Sequence, residues 1–171
     1  AAHVLQGMLP TESRRILDEL DPDVRRQILK AAPPERVHQW EAGKQYPEGS
    51  VGRLMEPPVA VFRPEQNVGD VIEELRDMVK KAFITYGFIV DGDGRLVGVI
   101  TMRDLLFSDR NRRLDEIMLT DVFALDAGLP LLDAMRQTLN RHYPAYPVKD
   151  TDGSLVGVVR GQHMFEQQAI E

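Results

Sequence analysis

The sequence predicts an α/β fold of the α+β kind: two copies of a β-α-β-β-α unit, preceded by a short all-helical repeat segment. Three observations predict it. The stretch Gly94-Arg95-Leu96-Val97-Gly98-Val99-Ile100-Thr101-Met102-Arg103-Asp104 returns as Gly153-Ser154-Leu155-Val156-Gly157-Val158-Val159-Arg160-Gly161-Gln162-His163, and such self-similarity marks a duplicated unit. In each copy an acidic-glycine turn, at residues 91–94 or 150–153, leads into a β-branched run that stops where helical spacing begins. Ahead of both, prolines recur every twelve residues, at Pro10, Pro22 and Pro34.

Each of these prolines suits the first turn of a helix, and apolar residues then return at helical spacing: Ile16, Leu17 and Leu20, or Val24, Ile28 and Leu29. Thr11 and Asp21 or Asp23 can cap. Helices of about two turns are not stable alone, so they must stack to bury their apolar stripes. Trp40 falls at the repeat position of Ile16 and Ile28, which assigns it to packing and not to recognition. The segment reads as the end of a longer helical array.

Residues 42–52 hold three glycines and a proline and read as a connector. Leu54-Met55 and Ile117-Met118 then precede short extended segments at 59–62 and 122–125. In each unit an amphipathic helix follows, through Val68, Val71, Ile72, Leu75, Met78 and Val79 or through Leu131, Leu132, Met135 and Leu139, then two strands and a closing helix. The copies are 63 residues apart at Met55 and Met118 but 59 apart at Gly94 and Gly153. A longer first helix, reaching toward Lys81, accounts for the extra four. The resulting boundaries are 1–43 for the helical segment, 44–53 for the linker, 54–108 and 117–171 for the two units, and 109–116 between them.

A chain of 171 residues with 43% hydrophobic content can bury a sizeable core. No run approaches the roughly 18 to 20 apolar residues that span a bilayer, so the chain as given reads as soluble. Its zero cysteines exclude disulfides and thiolate metal sites and suit a reducing cytoplasm. A net charge of −6 argues against a nucleic-acid surface. His3, His38, His142 and His163 lack metal-ligand spacing, and no nucleophile sits beside a histidine in a catalytic motif, so no enzyme is expected.

Two units with one apolar sheet face each can bury those faces against each other, leaving clefts between strands and helices. At a cleft edge, Thr101 would end a strand and Asp104 would lie in the next helix's first turn. There Thr101 and free amides can hold a phosphate, Asp104 matches the adjacent hydroxyls of a ribose, and Arg103 adds charge or a planar face. The plain alternative is a helix cap. The second copy has Arg160 and His163 at the equivalent places, so one such site is expected and not two.

With both units in view the chain resembles the cystathionine-β-synthase (CBS) domain family over residues 54–171, a tandem pair forming a Bateman module. The resemblance rests on Met55 and Met118 before the first strands, Pro147-Val148 in a second strand (Phe88-Ile89 in the first copy), the Gly-Arg-Leu-Val-Gly-Val turn, and Thr101 with Asp104. The helical repeat followed by Tyr46-Pro47-Glu48-Gly49-Ser50-Val51-Gly52-Arg53-Leu54-Met55 is similar to the cytosolic region of MgtE-type magnesium transporters or channels. Residues 164–171 resemble the start of the helix that leads to the pore in that family.

The resemblance implies a regulatory sensor: a homodimer through its CBS pairs, joined in the full-length chain to a transmembrane pore domain at the cytoplasmic face of the membrane. Ion passage would be gated by Mg2+ and by an adenine nucleotide, ATP or AMP. The alternative is a free-standing CBS-pair adenine-nucleotide sensor that regulates a partner protein or enzyme. The family's nucleotide site maps onto Thr101, Arg103 and Asp104, with Phe123, Tyr143 and Tyr86 as aromatic partners. Where the family can supply magnesium-binding acids, this chain has His142 and His163, poor ligands for a hard ion.

Overall fold

The three prolines begin three helices. In a computed structural model, which describes residues 4–5, 7–8, 10–82 and 84–166, α1 spans Pro10–Glu19, α2 Pro22–Ala31 and α3 Pro34–Glu41. Asp21 caps α2 by accepting from the Asp23 amide at 2.9 Å, while the Thr11 side chain lies outside the described residues. Leu5, Leu17, Ile28 and Trp40 form one apolar cluster, and Trp40 is 1% exposed. Helices this short hold only by sharing such a cluster. Arg14 ties the stack to the connector: its Nε donates to the Trp40 carbonyl at 2.9 Å and its Nη1 to the Arg53 carbonyl at 2.7 Å. Burial, then the nearby Arg53, lowers its pKa.

The connector is packed tightly against itself. Gly43 has φ of 84°, and a Cβ there would come within 2.3 Å of the Gly52 carbonyl oxygen; a Cβ at Gly52 would meet the Tyr46 ring at 2.4 Å. Only glycine permits these approaches. Tyr46, Val51 and Leu54, the latter two on the short helix α4 (Val51–Leu54), join the core of the second unit.

Each unit contains a three-stranded sheet of the same topology. In the first, β1 (Val61–Phe62) runs parallel to β2 (Tyr86–Val90), which pairs antiparallel with β3 (Leu96–Thr101). In the second, β4 (Leu125–Asp126), β5 (Ala145–Lys149) and β6 (Leu155–Arg160) repeat this order. Both antiparallel pairs carry a register shift at the equivalent place, Ile89/Val90 and Val148/Lys149. The first strands begin later than residues 59 and 122, where alternation alone would start them. The crossover helices are α5 (Val68–Met78, 11 residues) and α7 (Leu131–Thr138, 8 residues). The first is longer as expected, although it stops at Met78, leaving Val79 as an exposed cap outside the buried stripe while a turn continues to Lys81. The closing helices are α6 (Met102–Phe107) and α8 (Gly161–Glu166); residues 167–171, most of the segment read as a linking helix, lie outside the described residues.

The units exchange their lead-in segments. Glu56 pairs with Val158 of β6, and Leu119 pairs with Val99 of β3, so each sheet is extended by the segment that introduces the other unit. Met55 belongs to the second unit's core and Met118 packs on the first unit's. The repeated glycines give them room: a Cβ at Gly98 would lie 2.4 Å from the Met118 sulfur, and one at Gly157 2.6 Å from that of Met55. A strand glycine marks a close crossing of this kind. The two acidic-glycine turns also bond to each other, through Leu96 N to Gly153 O and Leu155 N to Gly94 O, both 3.0 Å. Gly94 and Gly153 have φ of 81° and 86°, which the turn requires.

Candidate functional site

Where β3 ends and α6 begins, Thr101 and Asp104 form a reciprocal cap. Thr101 Oγ1 accepts from the Asp104 amide at 3.1 Å, and Asp104 Oδ2 accepts from the Thr101 amide at 2.9 Å and from its hydroxyl at 2.6 Å. The plain capping role is therefore real and falls on one carboxylate oxygen, Oδ2; among the described residues no hydrogen bond reaches Oδ1. The cap stands at the edge of a cleft of about 240 Å³ between the two sheets, whose walls include Tyr86, Thr101, Asp121, Phe123 and Tyr143. Arg103 and Asp104 instead border an adjoining hollow of about 350 Å³ with Phe107 and Ile117. The Arg103 guanidinium lies 5.8 Å from the Phe107 ring centroid. The six residues read from the sequence thus fall on two neighbouring concavities that meet at the cap.

The cleft is walled by aromatic rings. Phe123 meets Tyr146 edge-on at 6.1 Å, and Tyr146 lies 5.6 Å from Tyr143. Burial raises the Tyr86 pKa above its ordinary value, with Tyr143 and Tyr146 adding to the shift, so at neutral pH its phenol is protonated. Flat π faces, one open carboxylate oxygen and a hydroxyl suit a planar base carrying a polyol.

The second cleft is different. It measures about 110 Å³, shares Tyr86, Phe88 and Ala145 with the first, and is lined by Glu56 and Arg160. Arg160 Nη2 is 3.4 Å from Glu56 Oε2, and His163 Nδ1 is 3.6 Å from Glu56 Oε1. Sequence reasoning missed Glu56, Asp121 and Arg141 here. Glu56 directly follows the Leu-Met pair, which hints at its equivalence to Leu119, but nothing local says that it crosses to β6. His142 has φ of 50°. Among the described residues no group of three or more His, Asp or Glu side chains could hold a metal ion, and none of their helices is long and apolar enough to cross a membrane.

Comparison with known proteins decides the family. The profile of the CBS domain matches residues 51–110 and 114–167. The chain belongs to the CBS-domain family. Its CBS pair and helical segment are homologous to the magnesium transporter MgtE of Thermus thermophilus, 32% identical over 88% of this chain. The chain spans 31% of that relative's length. Its fold matches the soluble part of a magnesium transporter, with a TM-score of 0.89 at 24% identity over 99% of this chain and 66% of the other. It also matches the cytosolic domain of the Mg2+ channel MgtE in complex with ATP, with a TM-score of 0.81 at 28% identity over 98% of this chain and 79% of the other. The tandem CBS fold and the MgtE resemblance therefore stand.

Proposed function

We propose that this chain is the cytosolic regulatory region of a magnesium transporter, in which the first cleft of the CBS pair takes an adenine nucleotide. The observation that carries the reading is the cleft itself: Tyr86, Phe123 and Tyr143 as flat walls, with Thr101 at its edge and Asp104 beside it. It is supported by likeness to an MgtE cytosolic domain whose structure is a complex with ATP. The base would stack on the aromatic walls, Asp104 Oδ1 would accept from a ribose hydroxyl, and Thr101 with Arg103 would face the phosphates. The full-length protein would act as a homodimer through its CBS pairs, linked to a pore at the cytoplasmic face of the membrane. The exposed Leu106 and Phe107 of α6 suit such a pairing.

Magnesium enters this proposal as the transported ion. Ion passage would also respond to Mg2+, as the family resemblance implies; within one chain, no group of three or more His, Asp or Glu side chains among the described residues gathers to hold that ion. The test is titration calorimetry and thermal melting with ATP, AMP and Mg2+, separately and together, because a ligand of the folded state raises its melting temperature. A nucleotide-dependent shift lost in Asp104→Ala is the expected result. No shift with either nucleotide would overturn the nucleotide site, and a shift with Mg2+ alone would show that this chain itself holds the ion.

A further inference from the structure

Arg141 lines neither cleft, yet its guanidinium carbon lies 3.8 Å from the centroid of the Phe123 ring. At that separation a cation stacks on a π face. Phe123 walls the first cleft, and Arg141 stacks on that ring without lining the cleft itself. The loop that brings Arg141 there is held in an unusual conformation. His142, with φ of 50°, occupies the left-handed region that residues with a Cβ rarely adopt. Such a conformation persists only when its surroundings over-determine it, and they do. The Arg141 amide donates to the Thr138 carbonyl at 2.9 Å, the Tyr143 amide to the Tyr146 hydroxyl at 3.0 Å, and the Gly161 amide to the Pro144 carbonyl at 3.0 Å. On either side of the reversal at His142, Arg141 stacks on the Phe123 ring and Tyr143 lines the cleft. Tyr146 closes the set, touching both rings.

We propose that Arg141 is a positioning residue of the nucleotide cleft: by stacking on Phe123 it fixes that ring as the wall on which the base lies. The inference rests on the nucleotide reading above. A free phenylalanine at a cleft rim would sample other rotamers, and holding it in its bound orientation beforehand removes an ordering cost from binding. A guanidinium suits this role because it is planar and matches the ring face over its whole area; a lysine ammonium makes only a point contact. Arg141 acts on the base through Phe123 and not on the phosphates, so nucleosides and nucleotides must respond alike.

The experiment measures ATP and adenosine affinities by titration calorimetry for the 171-residue chain and for Arg141→Gln, Arg141→Lys, Phe123→Leu and the Arg141→Gln/Phe123→Leu double variant. Expected are about a fivefold weakening of both ligands in Arg141→Gln, partial recovery in Arg141→Lys, and no further loss from Arg141→Gln once Phe123 is leucine. Losses that multiply in the double variant would overturn the proposal, as would a loss confined to ATP or no loss at all. Thermal melts identify any variant that fails to fold, and the lysine variant keeps the test decisive if the glutamine one does. Failure of the underlying reading looks different: the unsubstituted chain would then bind neither ligand, or would bind both as well with Asp104→Ala.

Discussion

The two CBS units share a backbone plan down to the register shift, yet their clefts have opposite chemistry. In the first, the strand end carries Thr101 and Asp104, and the lead-in segment contributes Leu119, 60% exposed. In the second, the strand end carries Arg160 and His163, and the lead-in contributes Glu56, whose side chain is 17% exposed and lies between them. The first cleft is left open by a cap that satisfies itself locally. The second is lined by Glu56 and Arg160, 3.4 Å apart, with His163 3.6 Å from the Glu56 carboxylate, whose buried Oε1 makes no hydrogen bond among the described residues. Duplication therefore preserved the scaffold while the chemistry at the strand ends diverged, because the residues that define a CBS sheet are not those that line its cleft.

The comparison can be broken at the scaffold, where the two units should behave alike. Gly98→Val and Gly157→Val would each drive a branched side chain into a crossing methionine. Each is expected to lower stability by about 2 to 3 kcal/mol, read as a shift in urea midpoint. A large loss from one and none from the other would show that the exchanged segments are not equivalent. Next comes the cleft chemistry, where the units should differ. Asp104→Ala should weaken ATP binding about tenfold or more and cost about 1 kcal/mol through the lost cap. His163→Ala should leave ATP affinity unchanged in the same calorimetric titration.

A smaller contrast tests the charged set at the second cleft. Glu56→Gln removes the charge facing Arg160 and His163 and should cost about 1 kcal/mol, discounted because Arg160 is 44% exposed. At the equivalent place in the first unit, Leu119→Ala should stay within about 0.5 kcal/mol. Equal effects in chemical denaturation would mean that Glu56 is a surface residue in solution. The smallest effect belongs to the seam between the turns. Arg95 donates to the Asp152 carbonyl at 3.2 Å from an exposed position, so Arg95→Ala should also change stability by no more than about 0.5 kcal/mol, leaving the backbone bonds to hold the seam.

Much of this was legible in the chain. The duplication, the order of elements in each unit and the helix starts at Pro10, Pro22 and Pro34 follow from repeated segments and from proline's fixed φ, which are local properties. So does the packing of Trp40, whose repeat position is apolar in the neighbouring helices. The cap residues were also legible, since a threonine three residues before an aspartate at a strand-to-helix junction has few other uses. The lead-in exchange was not. Leu54-Met55 and Ile117-Met118 announce an apolar face, but periodicity does not say which sheet that face will cover. Arg141 was equally silent, because an arginine in a polar loop carries no mark of the ring it will stack on.

By itself, then, the sequence determined what depends on neighbours along the chain: the repeated units, their turns, the helix caps and the residue types that distinguish one strand end from the other. Only the tertiary structure decided which unit each methionine packs into, that Glu56 reaches Arg160 and His163, and that Arg141 stacks on the Phe123 ring. Local backbone preferences act over a few residues and are written in order. Contacts between segments separated by a hundred positions are chosen by the joint burial of all apolar faces at once, and that choice exists only in the folded chain.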